Sequence, residues 1–405
     1  MVSILNAVRD LGRLNQINLV LIRHGFGGVA ERLGFGGGKK PRALLAAIGE
    51  DQAQAREGED AVPEADKKQG EDEKTRISLP ERVRLVAMDL GPSFVKLGQI
   101  ASTRPDVIPA DWITELKKLQ DEVRPLSFTE IKDAVEASLG RTIDEVYERF
   151  EEKPLAAASI GQVHRAVLKH PDGPKEVVVK VQRPGIRTTV ARDLELLHAL
   201  AALVERTIPE SKIYSPSALV DQFDRAITTE LDFGLEADHA EKFRRNFEGN
   251  ASARFPKPYK EASSKQVLTL ELIPGKKVYE AIREDGHLGP KIAKTSVALI
   301  IKMIFEDGFF HADPHPGNIL ISGTPEAPVI GLVDLGMVGR LSPEMRDRTI
   351  DLMVAAVRQD HVGVADALYQ IGTPTKKVDM RAYRAEVAEL SEKYLGRPLK
   401  EIDLA

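Results

Sequence analysis

The chain has 405 residues, 42% of them apolar and 29% charged, which is enough for about two to three domains with substantial cores and excludes a disordered or collagen-like protein. Its 57 Lys and Arg residues against 62 Asp and Glu give a net charge of -5, so we expect no nucleic-acid partner. The absence of cysteine excludes disulfide scaffolds, thiolate metal sites and cysteine nucleophiles.

Residues 1–48 are predicted to form a basic amphipathic segment. Basic residues outnumber acidic ones there, and apolar residues recur at approximately helical spacing: Ile4, Val8, Leu11, Ile17 and Leu21. Two interpretations fit this pattern, a helix packed on its own domain and a helix that contacts a membrane surface or a partner. The sequence predicts neither a secretory signal nor a membrane-spanning stretch.

The two segments that follow are predicted to be flexible connections between domains. The glycine-rich stretch 34–40 resembles a phosphate-binding loop, but no strand precedes it, its glycine spacing is wrong and no Ser or Thr follows its lysine. Residues 49–76 are rich in charged side chains and nearly lack large apolar ones, so they are predicted to be a flexible linker.

Residues 77–150 are predicted to be a helical domain. Ser127 and Glu130 form a capping-box pattern, and Gly140 is a typical helix terminator. Four helices are predicted in this domain: 80–103, 111–123, 127–140 and 142–150.

The residue composition changes at residue 151, where β-branched residues and residues typical of turns begin. We predict a domain at 151–272, with strands and inserted helices, and a mainly helical domain at 273–405. The predicted strands are 163–168, 177–181, 267–272 and 329–333. The predicted helices are 190–206, 216–247 and 292–309, followed by at least two more.

The strongest chemical signal is the segment 311–318, His-Ala-Asp-Pro-His-Pro-Gly-Asn, followed by Asp334 at the end of a predicted strand. An Asp five residues before an Asn, with a second Asp on the next strand, resembles the catalytic loop and metal-binding Asp of protein-kinase-like enzymes. In that interpretation Asp313 accepts or orients the proton of the attacking hydroxyl. Asn318 and Asp334 would hold Mg²⁺, a hard cation that prefers oxygen ligands.

Two other interpretations of this loop remain. A lone Asp-x-x-x-x-Asn pattern also fits a loop with Asx turns. The spacing of His311, Asp313 and His315 could also belong to a transition-metal hydrolase, although such a site would need further ligands at a fixed spacing.

Lys180 lies in the predicted strand Val-Val-Val-Lys-Val. A lysine in an apolar strand is often an edge-strand charge that points to solvent. The alternative is a lysine that positions phosphates and pairs with an acid from the helix that follows, where 230–236 carries several carboxylates. The segment that precedes this strand, 156–163, has alanines where a kinase has a glycine-rich loop, so it should hold phosphates differently.

Several motifs in order resemble the UbiB/AarF/ADCK family of atypical kinases, over about residues 80–340. The stretch 96–99, Lys-Leu-Gly-Gln, resembles the K-x-G-Q signature of the family's N-terminal extension. The alanine-rich loop at 156–159 resembles the loop of the family, and Glu230 with Asp232 resembles its E-x-D pair.

This resemblance implies roles for individual residues. Lys180 would contact nucleotide phosphates and pair with Glu236, while Glu230 and Asp232 would face Lys96 and Gln99, in a lid that folds over the cleft. Asp313, Lys180 and Lys96 are then the expected catalytic residues. The remaining expected nucleotide contacts are Ala156, Ala157, Ala158, Ser159 and Val163 in the loop, and Glu271 and Ile273 in the hinge.

The implied fold class is α+β. It is a bilobal protein-kinase-like fold with a small antiparallel-sheet N-lobe, a mainly helical C-lobe and an N-terminal helical K-x-G-Q extension. The expected ligands are ATP and Mg²⁺. A lid over the phosphates would exclude bulky substrates, so we expect a poor protein kinase in trans.

The implied function is a UbiB-type atypical kinase or ATPase that supports ubiquinone or related isoprenoid-lipid metabolism. Two alternatives stay open: a small-molecule phosphotransferase of the aminoglycoside or choline kinase type, and a nucleotide-switched scaffold without turnover. The expected location is cytoplasmic, peripheral at the inner face of a membrane, with an anionic membrane surface and quinone-pathway proteins or lipids as partners. Members often continue further with an apolar anchor, so this chain is either shortened or anchorless.

Overall fold

The computed structural model describes residues 13, 15–27, 77–102, 108–119, 125–207, 215–372, 374 and 377–394. These residues divide into two compact units. The first draws on Met1–Pro125, Ala157–Gly161 and Arg183–Ile227, and the second on Leu126–Ala156, Gln162–Gln182 and Thr228–Ala405. The glycine-rich stretch 34–40, the predicted linker 49–76 and most of the basic segment 1–48 lie outside the described residues.

The first unit is helical. Its labelled helices are α1 (Leu79–Leu90), α2 (Pro92–Ala101), α3 (Ala110–Leu116), α6 (Ile186–Thr207) and most of α7 (Pro216–Glu230). The sequence predicted one helix over 80–103, and this was wrong at Gly91. That glycine has φ 100°, a backbone conformation that β-carbon-bearing residues rarely adopt, so it ends α1 and allows Pro92 to begin α2.

A helix over 15–23 also belongs to this unit. Its Ile17 and Val20 are buried in a cluster with Val86 and Leu90 of α1. The helix from the basic segment therefore packs on its own unit, which is one of the two interpretations of the sequence.

The second unit begins with α4 (Phe128–Leu139). Ser127 and Glu130 form the predicted capping box at its start, and Gly140 ends it in the left-handed conformation, so this prediction is confirmed. The predicted helix over 142–150 was wrong for its second half. Only α5 (Ile143–Val146) is helical. Tyr147 starts a strand because, in that conformation, its side chain is buried in the core of the sheet.

A sheet follows in the strand order β1 (Tyr147–Phe150), β3 (Gly161–Leu168), β4 (Lys175–Gln182) and β6 (Val267–Glu271). Strand β1 is antiparallel to β3, and β4 is antiparallel to β6. Val177, Val179 and Val181 of β4 face one core with α4, as the alternation of a strand requires. Strand β2 (Ala156–Ala157) pairs with β3, and α8 (Phe233–Asn246) and β5 (Ala253–Arg254) precede β6 in the chain.

The rest of the second unit is mainly helical around a second sheet with the order β5-β10-β9-β7. A one-turn π-helix, Lys302–Glu306, follows α10 and leads into β8, which pairs with β11. The bounds are β7 (Lys276–Lys277), α9 (Val278–Glu284), α10 (Gly289–Ile301), β8 (Phe309–His311), β9 (Ile319–Gly323), β10 (Pro328–Leu332), β11 (Val338–Arg340), α11 (Pro343–Val357), α12 (His361–Ile371) and α13 (Met380–Tyr394). Among the described residues, no helix combines the length and the apolar character that crossing a membrane requires.

A buried polar chain crosses the small sheet. The Leu126 N–H donates to Gln162 Oε1 (2.8 Å), Gln162 Nε2 donates to His164 Nε2 (2.9 Å), and His164 Nδ1 donates to the Glu151 carbonyl (2.8 Å). Both nitrogens of His164 are used, and only the neutral imidazole satisfies all three bonds. Burial lowers the pKa of His164, and the Glu151 carbonyl opposes that effect.

This arrangement predicts a fall in stability on mild acidification. Because the folded state lowers the His164 pKa, the stabilisation is complete above the ordinary pKa of about 6.5 and is lost as the pH falls through the folded value. The urea midpoint of the wild type should drop between pH 7.5 and 5.0 at constant ionic strength. His164→Gln should be less stable at pH 7.5 and show a shallower drop, whereas an equal slope in both proteins would contradict the assignment.

Candidate active site

Lys180 lies at the centre of the small sheet. Its strand β4 is flanked by β3 and β6, so the edge-strand interpretation of this lysine was wrong. Alternation along β4 places Lys180 on the same side as Val178, which packs against the core shared by α8 and the strands β9 and β10. The side chain is 17% exposed. The lysine therefore points towards the large helical part of the unit rather than to bulk solvent.

Glu236 on helix α8 is the partner of Lys180. Lys180 Nζ donates to Glu236 Oε1 at 2.5 Å, and the glutamate is only 5% exposed. Asp232 caps the start of this helix by accepting the Gly234 N–H at 3.0 Å. Helix α8 therefore begins at the E-x-D motif, and its first turn carries the carboxylate that fixes the lysine.

The same helix holds the backbone of Leu335 from both sides. The Leu335 N–H donates to Glu236 Oε1 (3.2 Å), and His239 Nδ1 donates to the Leu335 carbonyl (3.0 Å). Glu236 and His239 are three residues apart, so they lie on one face of α8. Sequence reasoning missed His239, because its spacing from Glu236 shows only that the two share a helix face, whereas the carbonyl it binds lies 96 residues away.

Asp334 immediately precedes this anchored residue. Its φ is 61°, a left-handed conformation that is uncommon outside glycine, and Lys180 Nζ donates to its Oδ1 at 3.2 Å. The carboxylate is 56% exposed. The anchored backbone and the lysine hold Asp334 in this conformation, and its open side can receive a ligand.

The loop after β8 brings Asp313 and Asn318 together. Asn318 Nδ2 donates to the Asp313 carbonyl at 3.2 Å, and the Asn318 carbonyl accepts the Val333 N–H at 3.0 Å. Because β9 and β10 are antiparallel, Asn318 and Asp334 lie at neighbouring strand ends. The Asp313 carboxylate is 40% exposed and so remains accessible.

Two histidines shape this loop. His311 Nδ1 accepts the Asp313 N–H (3.1 Å), and His315 Nδ1 accepts the Gly317 N–H (2.9 Å), so both imidazoles brace the backbone. Burial lowers the pKa of His311, with the Val333 backbone and nearby carboxylates opposing it. Among the described residues, no group of three or more His, Asp or Glu is arranged to hold a metal ion by itself.

The charges of the site are strongly coupled. Burial disfavours the charged form of Lys180, but the carboxylates of Asp334 and Glu236 outweigh it, so the lysine pKa is raised. Burial also raises the pKa of Glu236, and the charge of Asp334 adds to it, while Lys180 acts in the opposite direction. Lys180 therefore stays protonated at physiological pH and presents a fixed positive charge.

The donor set fits a hard divalent cation. Asn318 uses its Nδ2 on the Asp313 carbonyl, which leaves its side-chain oxygen as the atom able to bind a metal. Lys180 Nζ donates to Oδ1 of Asp334, and that carboxylate is more than half exposed. An amide oxygen and a carboxylate are ligands that Mg²⁺ accepts together with phosphate oxygens and water.

The alanine-rich loop forms a tight turn. The Ala158 N–H donates to the Gly161 carbonyl (2.8 Å), and Arg183 Nε donates to the Ala158 carbonyl (2.9 Å). Ser159 is buried, and Val163 accepts the Leu155 N–H on β3. The nucleotide contacts expected of Ala156, Ala157, Ala158, Ser159 and Val163 stay predictions.

The predicted hinge follows β6. The Glu271 N–H donates to the Lys257 carbonyl at 2.8 Å, and the Leu272 N–H donates to the Glu176 carbonyl at 3.1 Å. The Glu271 amide is therefore already engaged and does not offer its N–H to an adenine edge. Ile273 is buried, and its expected contact with the nucleotide stays a prediction.

The K-x-G-Q motif lies on α2 in the first unit. Gln99 Nε2 donates to the Leu119 carbonyl at 3.0 Å, and a Cβ at Gly98 would overlap the Leu119 side chain. The glycine and glutamine thus dock α2 against the segment after α3. The pairing of Lys96 and Gln99 with Glu230 and Asp232, which the sequence predicted, stays a prediction.

The lysine, the helix acid, the loop Asp-Asn pair and the strand-end Asp thus lie close together, in the arrangement that the sequence predicts for a protein-kinase-like site. A family model, the ABC1 atypical kinase-like domain, matches residues 118–368. The chain belongs to this family.

Named relatives agree with this assignment. A Cellvibrio japonicus protein named probable protein kinase UbiB is 39% identical over 333 residues, covering 82% of this chain and 60% of that protein. A Synechocystis protein described as uncharacterized, sll1770, is 34% identical over 321 residues, covering 79% of this chain and 54% of that protein. The chain thus spans little more than half the length of these relatives.

A solved structure is similar as well. Rv3197 of Mycobacterium tuberculosis, determined in complex with erythromycin, aligns with a TM-score of 0.50 and 26% identity, over 73% of each chain. Together with the mixed sheets and helices, this likeness supports the α+β, bilobal kinase-like fold predicted from the sequence.

The anchoring of Leu335 gives a stability prediction. His239→Ala removes a donor from a buried carbonyl and leaves a cavity, so it should lower the free energy of unfolding by about 2–4 kcal/mol. Asp238→Ala, the neighbouring position on α8, removes only an exposed pair with Lys260 and should cost less than about 1 kcal/mol. Urea unfolding of both variants measures the difference, and equal losses would contradict the anchoring role.

Proposed function

We propose that this chain binds Mg-ATP and acts as a UbiB-type atypical kinase or ATPase. The observation that carries the proposal is the cluster in which Lys180 contacts both Glu236 and Asp334, beside the Asp313–Asn318 loop. A fixed ammonium, a metal-binding carboxylate and an accessible Asp in this order are the parts that phosphoryl transfer requires.

Each residue has a distinct task in this mechanism. The Lys180 ammonium binds the nucleotide phosphates, and Glu236 orients that ammonium. Asn318 and Asp334 would hold Mg²⁺, which would neutralise phosphate charge when bound. Asp313 orients the attacking hydroxyl or water and accepts its proton as the bond from oxygen to the γ-phosphorus forms and the bond to ADP breaks.

The acceptor is proposed to be small. The resemblance to the K-x-G-Q extension supports this, because in that family the extension is expected to exclude a peptide substrate. Water or a small molecule of isoprenoid-quinone metabolism is then the acceptor, and transfer to proteins in trans is poor. The proposed work at a membrane rests on the resemblance to the UbiB/AarF/ADCK family and on the basic character of residues 1–48.

The metal assignment predicts a clear separation between two variants. Asp334→Asn should reduce Mg²⁺-dependent ATP affinity by at least about tenfold, since one metal carboxylate becomes a neutral amide. Asp313→Asn should retain binding but lower turnover by about 10²- to 10⁴-fold, because it removes the proton acceptor. Calorimetric titration of Mg-ATP and a phosphate-release assay measure the two effects.

The matched control is Asp366→Asn, which removes a carboxylate paired with Arg384 on the helices α12 and α13. It should change neither quantity. The assays are run with and without anionic liposomes, where a rise in turnover supports work at a membrane. Unchanged Mg-ATP affinity in Asp334→Asn would refute the metal assignment, and tight binding without turnover under every condition would favour a nucleotide switch.

The alanine loop gives a further prediction. Ala157→Gly adds access to positive φ and closer backbone approach, so it should change the preference of the chain between ATP and ADP. The ratio of the two dissociation constants in wild type and variant measures this. An unchanged ratio would count against a nucleotide-contacting role of the loop.

A further inference from the structure

A cavity of about 210 Å³ lies directly behind the catalytic loop. His311 and Pro314, on either side of Asp313, form part of its wall, and Ile319, the residue after Asn318, forms another part. The opposite wall comes from α10 and the π-helical turn. The cavity therefore does not include the carboxylates of the site, but the loop that carries Asp313 and Asn318 forms part of its wall.

The lining is apolar. Among the described residues that form its wall, Ser296 and His311 are the polar ones, and none is Asp, Glu, Lys or Arg. Such a wall has no charged side chain to pair with a phosphate or another charged group. An apolar cavity of about 150 Å³ already stays dry and admits benzene, so this one has room for a substituted ring or a short length of hydrocarbon chain.

The mouth of the cavity is apolar too. Ile300 both lines the cavity and is 40% exposed, and its neighbours Val297 and Ile301 on α10 are 54% and 49% exposed. The exposed apolar surface of α10 is therefore continuous with the cavity wall through Ile300. A hydrocarbon chain can lie along this surface and enter the cavity while its polar head stays in solvent. A compact polar metabolite has no such apolar part to bury.

We propose that this cavity binds the hydrocarbon end of a lipid-like molecule. The bound chain would pack between α10 and the catalytic loop and leave its head group outside.

A ligand in the cavity would also affect the conformation of the loop that carries Asp313. This effect on turnover rests on the proposed function. His311 Nδ1 accepts the Asp313 N–H, and the Asp313 carbonyl accepts from Asn318, so the loop is one bonded unit. A ligand that packs against His311 and Pro314 favours the loop conformation it fits best. Binding of a chain would then change turnover without touching the nucleotide.

The first test measures binding alone, without nucleotide. With n-butylbenzene near ten times its dissociation constant, the thermal midpoint of the wild type should rise by about 1–2 °C. Leu299→Phe fills the cavity and should abolish the shift. Since that variant could unfold, Ser296→Leu provides a second filling at a half-buried position, and titration by ligand-observed NMR reads binding directly.

Met353→Gln is the matched control, because it alters a separate apolar groove formed by Phe305, Ile350, Met353, Val354 and Val357. It should keep the full shift. No shift in the wild type, a shift that survives both filling variants, or a shift that Met353→Gln abolishes would each overturn the proposal.

The source of the chain is separated by two further probes, monomeric decanoate and vesicles of neutral phosphatidylcholine. A response to decanoate supports a free amphiphile, and a response to vesicles alone supports a bilayer lipid. Binding of n-butylbenzene with no response to either overturns the lipid assignment. Turnover that responds to a probe in the wild type but not in Leu299→Phe supports the coupling, and an identical response in both overturns the coupling alone.

Discussion

The carboxylate of Glu236 is the contact on which the site depends. One of its oxygens accepts both from Lys180 and from the Leu335 N–H, so a strand, a helix and the segment after β10 meet at a single atom. Burying a glutamate this deeply is unfavourable unless it is paired, and removing the lysine would leave an uncompensated charge. The pair therefore fixes where the strand and the helix meet, because neither charge can be moved or removed without leaving the other unpaired.

The cost of the arrangement appears in the backbone. Asp334 adopts a left-handed conformation, which a non-glycine residue maintains only where its surroundings hold it. Here the next residue is fixed at its N–H by Glu236 and at its carbonyl by His239. Asp334, the strained residue, also exposes its carboxylate to solvent. Its rigid neighbours therefore fix the position of a carboxylate that a ligand can approach.

Short-range patterns in the sequence were sufficient to predict many of the fold elements and the residues of the candidate site. The capping box at Ser127 and the valine-rich strand with Lys180 are short-range patterns, and the Asp313–Asn318 spacing lies within one loop. The failures have a different cause. The strand at Tyr147 forms because the sheet core takes that side chain, and the break at Gly91 depends on one backbone angle. The role of His239 depends on a carbonyl 96 residues away, which a single helix pattern cannot reveal.

Asp232 shows that one residue of a motif can perform two physical tasks. It caps the helix that carries Glu236, and it lies 3.5 Å from Lys265 Nζ. A loss of activity on changing this residue would therefore be ambiguous between a missing negative charge and a frayed helix end. Asparagine keeps the cap and removes the charge, whereas alanine removes both. Only the comparison of the two substitutions can say which property the motif supplies.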